Sequence, residues 1–205
     1  MSTELNETSY VLGQQIGNDL KNQEIAIEFE TFFDSIKDAY AGKESKYSME
    51  ETQGIMTKLQ GALQEKAQAR ANVAGEANMT EGLAYLTENK AKDGVQITES
   101  GLQYLVLETG AGATPSAESI VEVHYEGKLI NGTIFDSSYQ RGETASFPVN
   151  RVIAGWTEAL QLMKEGDVWE VTIPAALAYG SQGAGEVIGP NATLIFKVEL
   201  VKVQA

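Results

Sequence analysis

Few side chains in this sequence can do covalent or acid–base chemistry. There is no Cys and one His among its 205 residues. Disulfides, thiolate nucleophiles and Cys-based zinc sites are therefore excluded, as is any mechanism that needs two imidazoles in one chain. The single imidazole, His124, lies between Glu122 and Glu126 on one face of a strand pattern whose other face carries Val121, Val123 and Tyr125. That is the setting of a solvated strand histidine, and no Ser–His–Asp arrangement assembles around it. A metal site would need clustered carboxylates, and none occurs outside helix surfaces. Gly180-Ser181-Gln182-Gly183-Ala184-Gly185 has the glycine content of a phosphate cradle. It lacks the Lys-Ser/Thr ending and leads into no helix, so it reads as a flexible surface loop. What remains is apolar and aromatic: Tyr125, Phe135, Val152, Ile153, Trp156, Tyr179, Ile188 and Phe196 fall at strand ends, in a short helix or in adjoining loops. Such a set serves either as ordinary core or as the lining of an apolar pocket.

Composition narrows the partners. Fifteen Lys and Arg stand against 29 Asp and Glu, a net of −14. That sign argues against nucleic acid, whose affinity comes mainly from neutralised phosphates, and against an anionic membrane surface. No apolar run approaches the ~18 residues that span a bilayer. Met1-Ser2-Thr3-Glu4-Leu5-Asn6-Glu7 is acidic and no apolar block follows it, so it does not resemble a secretory signal. The expected location is cytoplasmic, or periplasmic if a leader has been removed.

The elements that must position these residues divide the chain. The four prolines, Pro115, Pro148, Pro174 and Pro190, leave the first 114 residues free of helix breakers. Seven glycines lie in 1–93 and thirteen in 94–205. Charge does not divide: 9 basic and 16 acidic side chains in 1–93, and 6 and 13 in 94–205, make each part −7. Val11, Leu12, Ile16 and Leu20 share a helical face within residues 5–20. Ile25, Phe29, Phe32, Phe33, Ile36 and Tyr40 do so over 24–41, with Gly42 as a stop. Ser48-Met49-Glu50-Glu51 has the form of a capping box and opens a third helix with the stripe Ile55, Met56, Leu59 and Leu63. Beyond Leu63 the helix has little to bury. A run to about residue 90 would be roughly 60 Å long at ~1.5 Å per residue. Gly75 and Gly82 are weak points, and a break near Asn78-Met79-Thr80-Glu81 is the alternative. So small a helical unit buries too little surface alone. Its aromatic stripe predicts a homodimer through residues 1–65, with 66–93 as a connecting helix or stalk.

Residues 94–205 switch to period two. Strands are expected at 102–106, 121–125, 169–173 and 194–200, with an Asn131-Gly132 hairpin between Leu129-Ile130 and Thr133-Ile134-Phe135. One short helix places Trp156, Ala159, Leu160 and Met163 on a common face, and Gly166 follows its end. The fold class is α+β: an all-α N-terminal region with a long connecting helix, then an antiparallel sheet with a helix.

Five segments in order carry a family resemblance: Val123-His124-Tyr125-Glu126-Gly127; Gly132-x-x-Phe135-Asp136-Ser137-Ser138; Val152-Ile153-Ala154-Gly155-Trp156; Ala178-Tyr179-Gly180; and Pro190-Asn191-Ala192-Thr193-Leu194-Ile195-Phe196. Over residues 94–203 the chain resembles an FKBP-type peptidyl-prolyl cis-trans isomerase. Its helical part resembles the dimerisation domain of the bacterial macrophage-infectivity-potentiator-like subfamily. The resemblance implies an FKBP-like sheet wrapped around the short helix, rotamase activity in protein folding without a cofactor or metal, and chaperone-like client binding by a homodimer. The alternative is mainly a client-holding chaperone with secondary isomerase activity. The implied partners are unfolded or partly folded proteins with X–Pro bonds, and macrolide inhibitors. Carried over by position, Asp136, Phe135 and Tyr179 are the catalytic candidates. Trp156 forms the pocket floor, and Tyr125, Val152, Ile153, Val187, Ile188 and Phe196 bind substrate, with Arg141 bracing Asp136. Two positions depart from the family pattern. Ala145 replaces an aromatic wall residue and Ala184 a loop His, which should leave that side more open and weaken macrolide binding.

Overall fold

A computed structural model describes residues 3–204. The chain divides into two compact units between Ala69 and Arg70.

The first unit is helical. Helix α1 spans Thr3–Asn22, α2 spans Phe29–Tyr40, and α3, Met49–Asn89, begins here. The capping box at the start of α3 is complete: Glu51 N–H donates to Ser48 Oγ at 3.2 Å and Ser48 N–H donates to a Glu51 carboxylate oxygen at 2.9 Å. Helix α2 starts later than its periodicity predicts, leaving Ile25 outside. The reason is local. Glu28 takes the N-cap position and its carboxylate accepts from the Glu30 and Thr31 N–H groups, satisfying two donors that a helix start leaves bare. At the other end Gly42 adopts a left-handed φ of 70°, the conformation that terminates helices. No residue of α1 or α2 is buried in the single chain. Tyr10, Val11, Leu12, Phe29, Phe33 and Ile55 are all exposed.

The second unit is one antiparallel sheet. Its strands are β1 (Gln96–Ile97), β2 (Gln103–Glu108), β3 (Ile120–Leu129), β4 (Ile134–Ser137), β5 (Ala145–Pro148), β6 (Val168–Ile173) and β7 (Leu194–Gln204). They run β1-β2-β6-β7-β3-β4, with β5 also paired to β3. The free edge of β3 is shared: β5 pairs with Ile120–Val123 and β4 with Glu126–Lys128. The β3–β4 hairpin closes through Leu129 N–H to Thr133 O and Gly132 N–H to Leu129 O, both 2.9 Å, around Asn131-Gly132. Two short helices interrupt the sheet, α4 (Ser138–Arg141) and α5 (Ala154–Leu162). β1 and β5 escape the periodicity reading because two and four residues are too few to show an alternation.

Alternation along the strands assigns the two faces. Tyr104, Val123, Tyr125, Val171, Ile173, Leu194 and Phe196 lie on one face and meet Trp156, Leu160 and Met163 of the α5 segment in the core. The other face presents Gln103 and Thr172, and the end of α3 packs there. Asn89 Nδ2 donates to Gln103 Oε1 at 3.0 Å, and Gln103 Nε2 donates to Leu86 O at 2.9 Å. Asn89, Gln103 and Thr172 are all at least 95% buried, and such groups are tolerated inside only when paired. Helix α3 is unbroken, and its later turns do bury surface. Gly75 and Gly82, weak points in the sequence reading, are contact points: a Cβ on Gly82 would lie 2.5 Å from Thr193 Oγ1.

Candidate active site

The cleft forms where α5, β3, β4 and the loop before β7 converge. Its floor is the indole of Trp156, 5% exposed. Three rings stand edge-to-face against it: Tyr125 at 5.3 Å and 88°, Phe196 at 5.3 Å and 85°, and Phe147 at 5.9 Å and 85°. Phe135 continues the wall, 5.6 Å from Phe196 at 81°. Such edge-to-face pairs match the positive edge of one ring to the negative face of the next. Gly127 makes room for two of them. A Cβ there would lie 2.5 Å from Phe135 and 2.7 Å from Phe196, so any side chain on β3 at this point would evict the wall.

The resulting cleft holds about 740 Å³, within the usual range of small-ligand sites. Of the predicted residues, Tyr125, Phe135, Asp136, Val152, Ile153, Trp156, Tyr179, Val187, Ile188 and Phe196 all line it. Arg141 does not. It stands behind the rim, paired with Asp136 and donating to the Tyr125 hydroxyl at 3.0 Å. The Tyr125 hydroxyl in turn donates to Asp136 Oδ2 at 2.5 Å. Ile153 is the N-cap of α5; its carbonyl accepts from Trp156 and Thr157, and its N–H makes no backbone hydrogen bond among the described residues. The Tyr179 side chain is 40% exposed and its hydroxyl has no partner in the described chain. One N–H and one O–H of the cleft lining thus have no hydrogen-bond partner among the described residues.

Sequence reasoning missed Phe147, Arg151, Gly185 and Glu186, which also line the cleft, and named Ala184 only as a departure from the family pattern. Phe147 had a signal, the Ala145-Ser146-Phe147 alternation, in a strand too short to weigh. The reading of 180–185 as a flexible surface loop is corrected. Ala184 and Ile188 exchange two backbone hydrogen bonds, 2.8 and 3.1 Å, and this closed loop is one wall of the cleft. His124 is not simply solvated either. It stacks on Tyr139 at 4.9 Å, and its Nδ1 lies 3.1 Å from Ser138 Oγ. The nearby Tyr139 hydroxyl is pushed up to about 12 by burial and by Glu199. Among the described residues no group of acidic and imidazole side chains could hold a metal ion.

An apolar, aromatic-floored cleft with free hydrogen-bonding groups, and no Ser, Thr, Cys, Lys or His in its lining, defines an enzyme or binding domain for a partly apolar chain segment. The comparisons place it. A family model for FKBP-type peptidyl-prolyl cis-trans isomerase matches residues 112–201, and one for the domain amino-terminal to it matches 5–106. A probable FKBP-type isomerase FkpA of Neisseria meningitidis is 46% identical over 204 residues, covering 98% of this chain and 75% of that protein. The Coxiella burnetii peptidyl-prolyl cis-trans isomerase Mip is 44% identical over 204 residues, covering 100% and 89%. A Legionella longbeachae relative, 42% identical with 100% and 88% covered, is named outer membrane protein MIP. The crystal structure of FkpA from Escherichia coli superimposes with a TM-score of 0.78 at 36% identity, covering 98% and 95%. This chain belongs to the FKBP-type peptidyl-prolyl cis-trans isomerases, enzymes that speed rotation about X–Pro bonds.

Rim electrostatics set the pH window. Desolvation pushes the Asp136 carboxyl up, but hydrogen bonds from Tyr125 and Arg141 outweigh it and hold the group below the ordinary carboxylate value. Burial first, and the Asp136 acceptor second, push the Tyr125 hydroxyl up. Both shifts point away from neutrality, so the brace keeps one charge state across about pH 5–9. A depressed folded-state carboxyl contributes its stability above its unfolded value, ~3.9, and loses it as pH falls through the folded value. Turnover of an X–Pro peptide is expected to stay level over that range, and the denaturation midpoint to drop only below about pH 4. A midpoint or rate transition centred near neutrality would contradict this brace.

Proposed function

We propose that isomerisation here is driven by the dry aromatic floor, with polar groups at the rim holding the peptide. The supporting observation is the Trp156 indole enclosed by Tyr125, Phe147 and Phe196 beside the Tyr125–Asp136–Arg141 brace. Peptide C–N rotation meets a barrier of ~18–20 kcal/mol because resonance makes the bond partly double. At the twisted transition state that resonance is lost, charge separation falls and the group becomes less polar. A water-poor cleft therefore disfavours the planar, dipolar ground state more than the twisted one, which is differential stabilisation of the transition state. At ~1.36 kcal/mol per decade, about 6 kcal/mol of such preference supplies around four orders of magnitude. In this reading Trp156 and Phe135 exclude water, the Ile153 N–H and the Tyr179 hydroxyl fix substrate carbonyls, and Asp136 orients or polarises the imide. No covalent intermediate forms.

The second part of the proposal concerns assembly. The exposed apolar residues of α1, α2 and early α3 make a second copy of this chain the natural cover, since a small helical unit cannot bury enough on its own. Two clefts on one dimer would engage one long client at two points, so that effective concentration strengthens client holding. Residues 1–65 then serve dimerisation, 66–93 connection and 94–205 catalysis. Macrolide inhibitors would enter the same cleft, loosely beside Ala184, which lines it; Ala145 packs against the core and is not part of the lining. For location, the periplasmic alternative fits the relative named an outer membrane protein better than the cytoplasmic one does; no helix among the described residues is long and apolar enough to cross a membrane. Cell fractionation with antibody detection decides it, and recovery with cytosolic markers alone would reject the periplasmic reading.

Phe135→Ala and Asp136→Ala should each cut kcat/KM for an X–Pro peptide at least ~10-fold, or ~1.4 kcal/mol of transition-state stabilisation. Both should still suppress aggregation of an unfolded client. Undiminished turnover in both variants would reject the assignment; loss of aggregation suppression in step with turnover would reject separate client holding. Light scattering on the eluting full chain should give twice its 22.1 kDa mass, and a monomeric mass at micromolar concentration would rule out the dimer.

A further inference from the structure

The wall of the cleft formed by Ala184–Ile188 is held from behind. Its loop leaves Gly183 and returns at Asn191, and the Asn191 N–H donates to Gly180 O at 2.8 Å. Beyond that neck the support comes from α3. Asn78 Nδ2 donates to the Pro190 carbonyl at 2.8 Å, and Asn191 Nδ2 donates to the Gly75 carbonyl at 3.3 Å. Each partner thus lends one side-chain amide to a backbone carbonyl of the other. Contact is close because Gly75 has no side chain: a Cβ there would lie 3.2 Å from both Pro190 Cβ and Asn191 Nδ2. Gly189 faces Asn78 in the same way, at 2.9 Å. Seven residues on, Gly82 repeats the fit against Thr193, and Asn89 anchors the helix end on Gln103. Gly75, Gly82 and Asn89 are the buried residues of α3, and a seven-residue spacing keeps them on one helical face.

We propose that Asn78 is a positioning residue for the isomerase reaction: through Pro190 it sets where Val187 and Ile188 stand in the cleft, and Asn191 completes the clasp from the loop side. Asn78 is not itself in the cleft lining and meets this loop at Gly189 and Pro190. The proposal rests on the assignment of this cleft as the prolyl site, and deepens it. Asp136 is held by its own brace with Tyr125 and Arg141, while Tyr179, beside Gly180 at the neck of the loop, acts by fixing a substrate carbonyl. Loosening the clasp therefore weakens capture of the peptide more than its rotation.

Two variants of the full chain test it from opposite sides. Asn78→Ala removes one amide. Asn191→Gly removes the other while keeping a left-handed backbone (φ 56°) that glycine adopts freely. In both, hydrogen exchange at the Ala184 and Ile188 amides, which close the loop, should speed up about tenfold, with the Val171 and Val198 amides of the core strands unchanged. KM for a short X–Pro peptide should rise about three- to tenfold while kcat stays within about twofold. Unaltered exchange at Ala184 and Ile188 together with unaltered KM, in both variants, would overturn the proposal. So would equal acceleration at Val171 and Val198, which would make Asn78 a general stabiliser. An inactive wild-type chain would sink the isomerase reading instead, and would be recognised as such because the exchange measurement needs no turnover.

Discussion

The indole of Trp156 can be caged only because β3 carries no side chain at residue 127. Phe135 and Phe196 both lean over that gap, and Phe196 is one of the three rings set edge-on against the floor. Replace the hydrogen at Gly127 with any carbon and two walls move at once, since interiors packed to crystal density have no slack to absorb a methyl group. The dryness that the proposed mechanism requires is thus a packing property of the sheet. It follows from a strand whose glycine leaves room for two rings and a helix, α5, that carries Trp156.

Polar groups are segregated from that floor. Asp136, Tyr125 and Arg141 form a closed cycle of charge-assisted hydrogen bonds at the rim, where solvent still reaches the ion pair. Buried deeper, the same pair would meet a desolvation penalty that can exceed its Coulombic attraction. At the rim it can orient a carboxylate without wetting the cleft. The other charged residues at the mouth, Arg151 and Glu186, have no ion-pair partner among the described residues.

Much of this was legible in residue order. Proline-free helices, the Ser48–Glu51 box, the Asn131-Gly132 hairpin and the four long strands each follow from a local rule, and the motif order points to the cleft residues. What was not legible depends on contacts between distant segments. Phe147 reaches the cleft because Ala145–Pro148 pairs with Ile120–Val123, a register that four residues cannot announce. The 180–185 glycines looked like a loose loop because the hydrogen bonds closing it come from Ile188 and Asn191. Gly75 and Gly82 looked like flaws in a helix because Pro190, Asn191 and Thr193 lie more than a hundred residues away. Their shared spacing with Asn89 was the one available hint. The start of α2 was misplaced because Glu28, a longer acid than the usual capping residues, closes the first turn.

The chain has two tryptophans, and they occupy unlike sites. Trp156 floors the cleft, while Trp169 stacks flat on Tyr104 at 4.3 Å, outside the cleft lining. Both indole N–H groups are buried without an acceptor among the described residues. An occupant of the cleft changes the surroundings of one fluorophore and leaves the other as an internal reference. The protein carries its own optical gauge of occupancy, with no need for an attached dye.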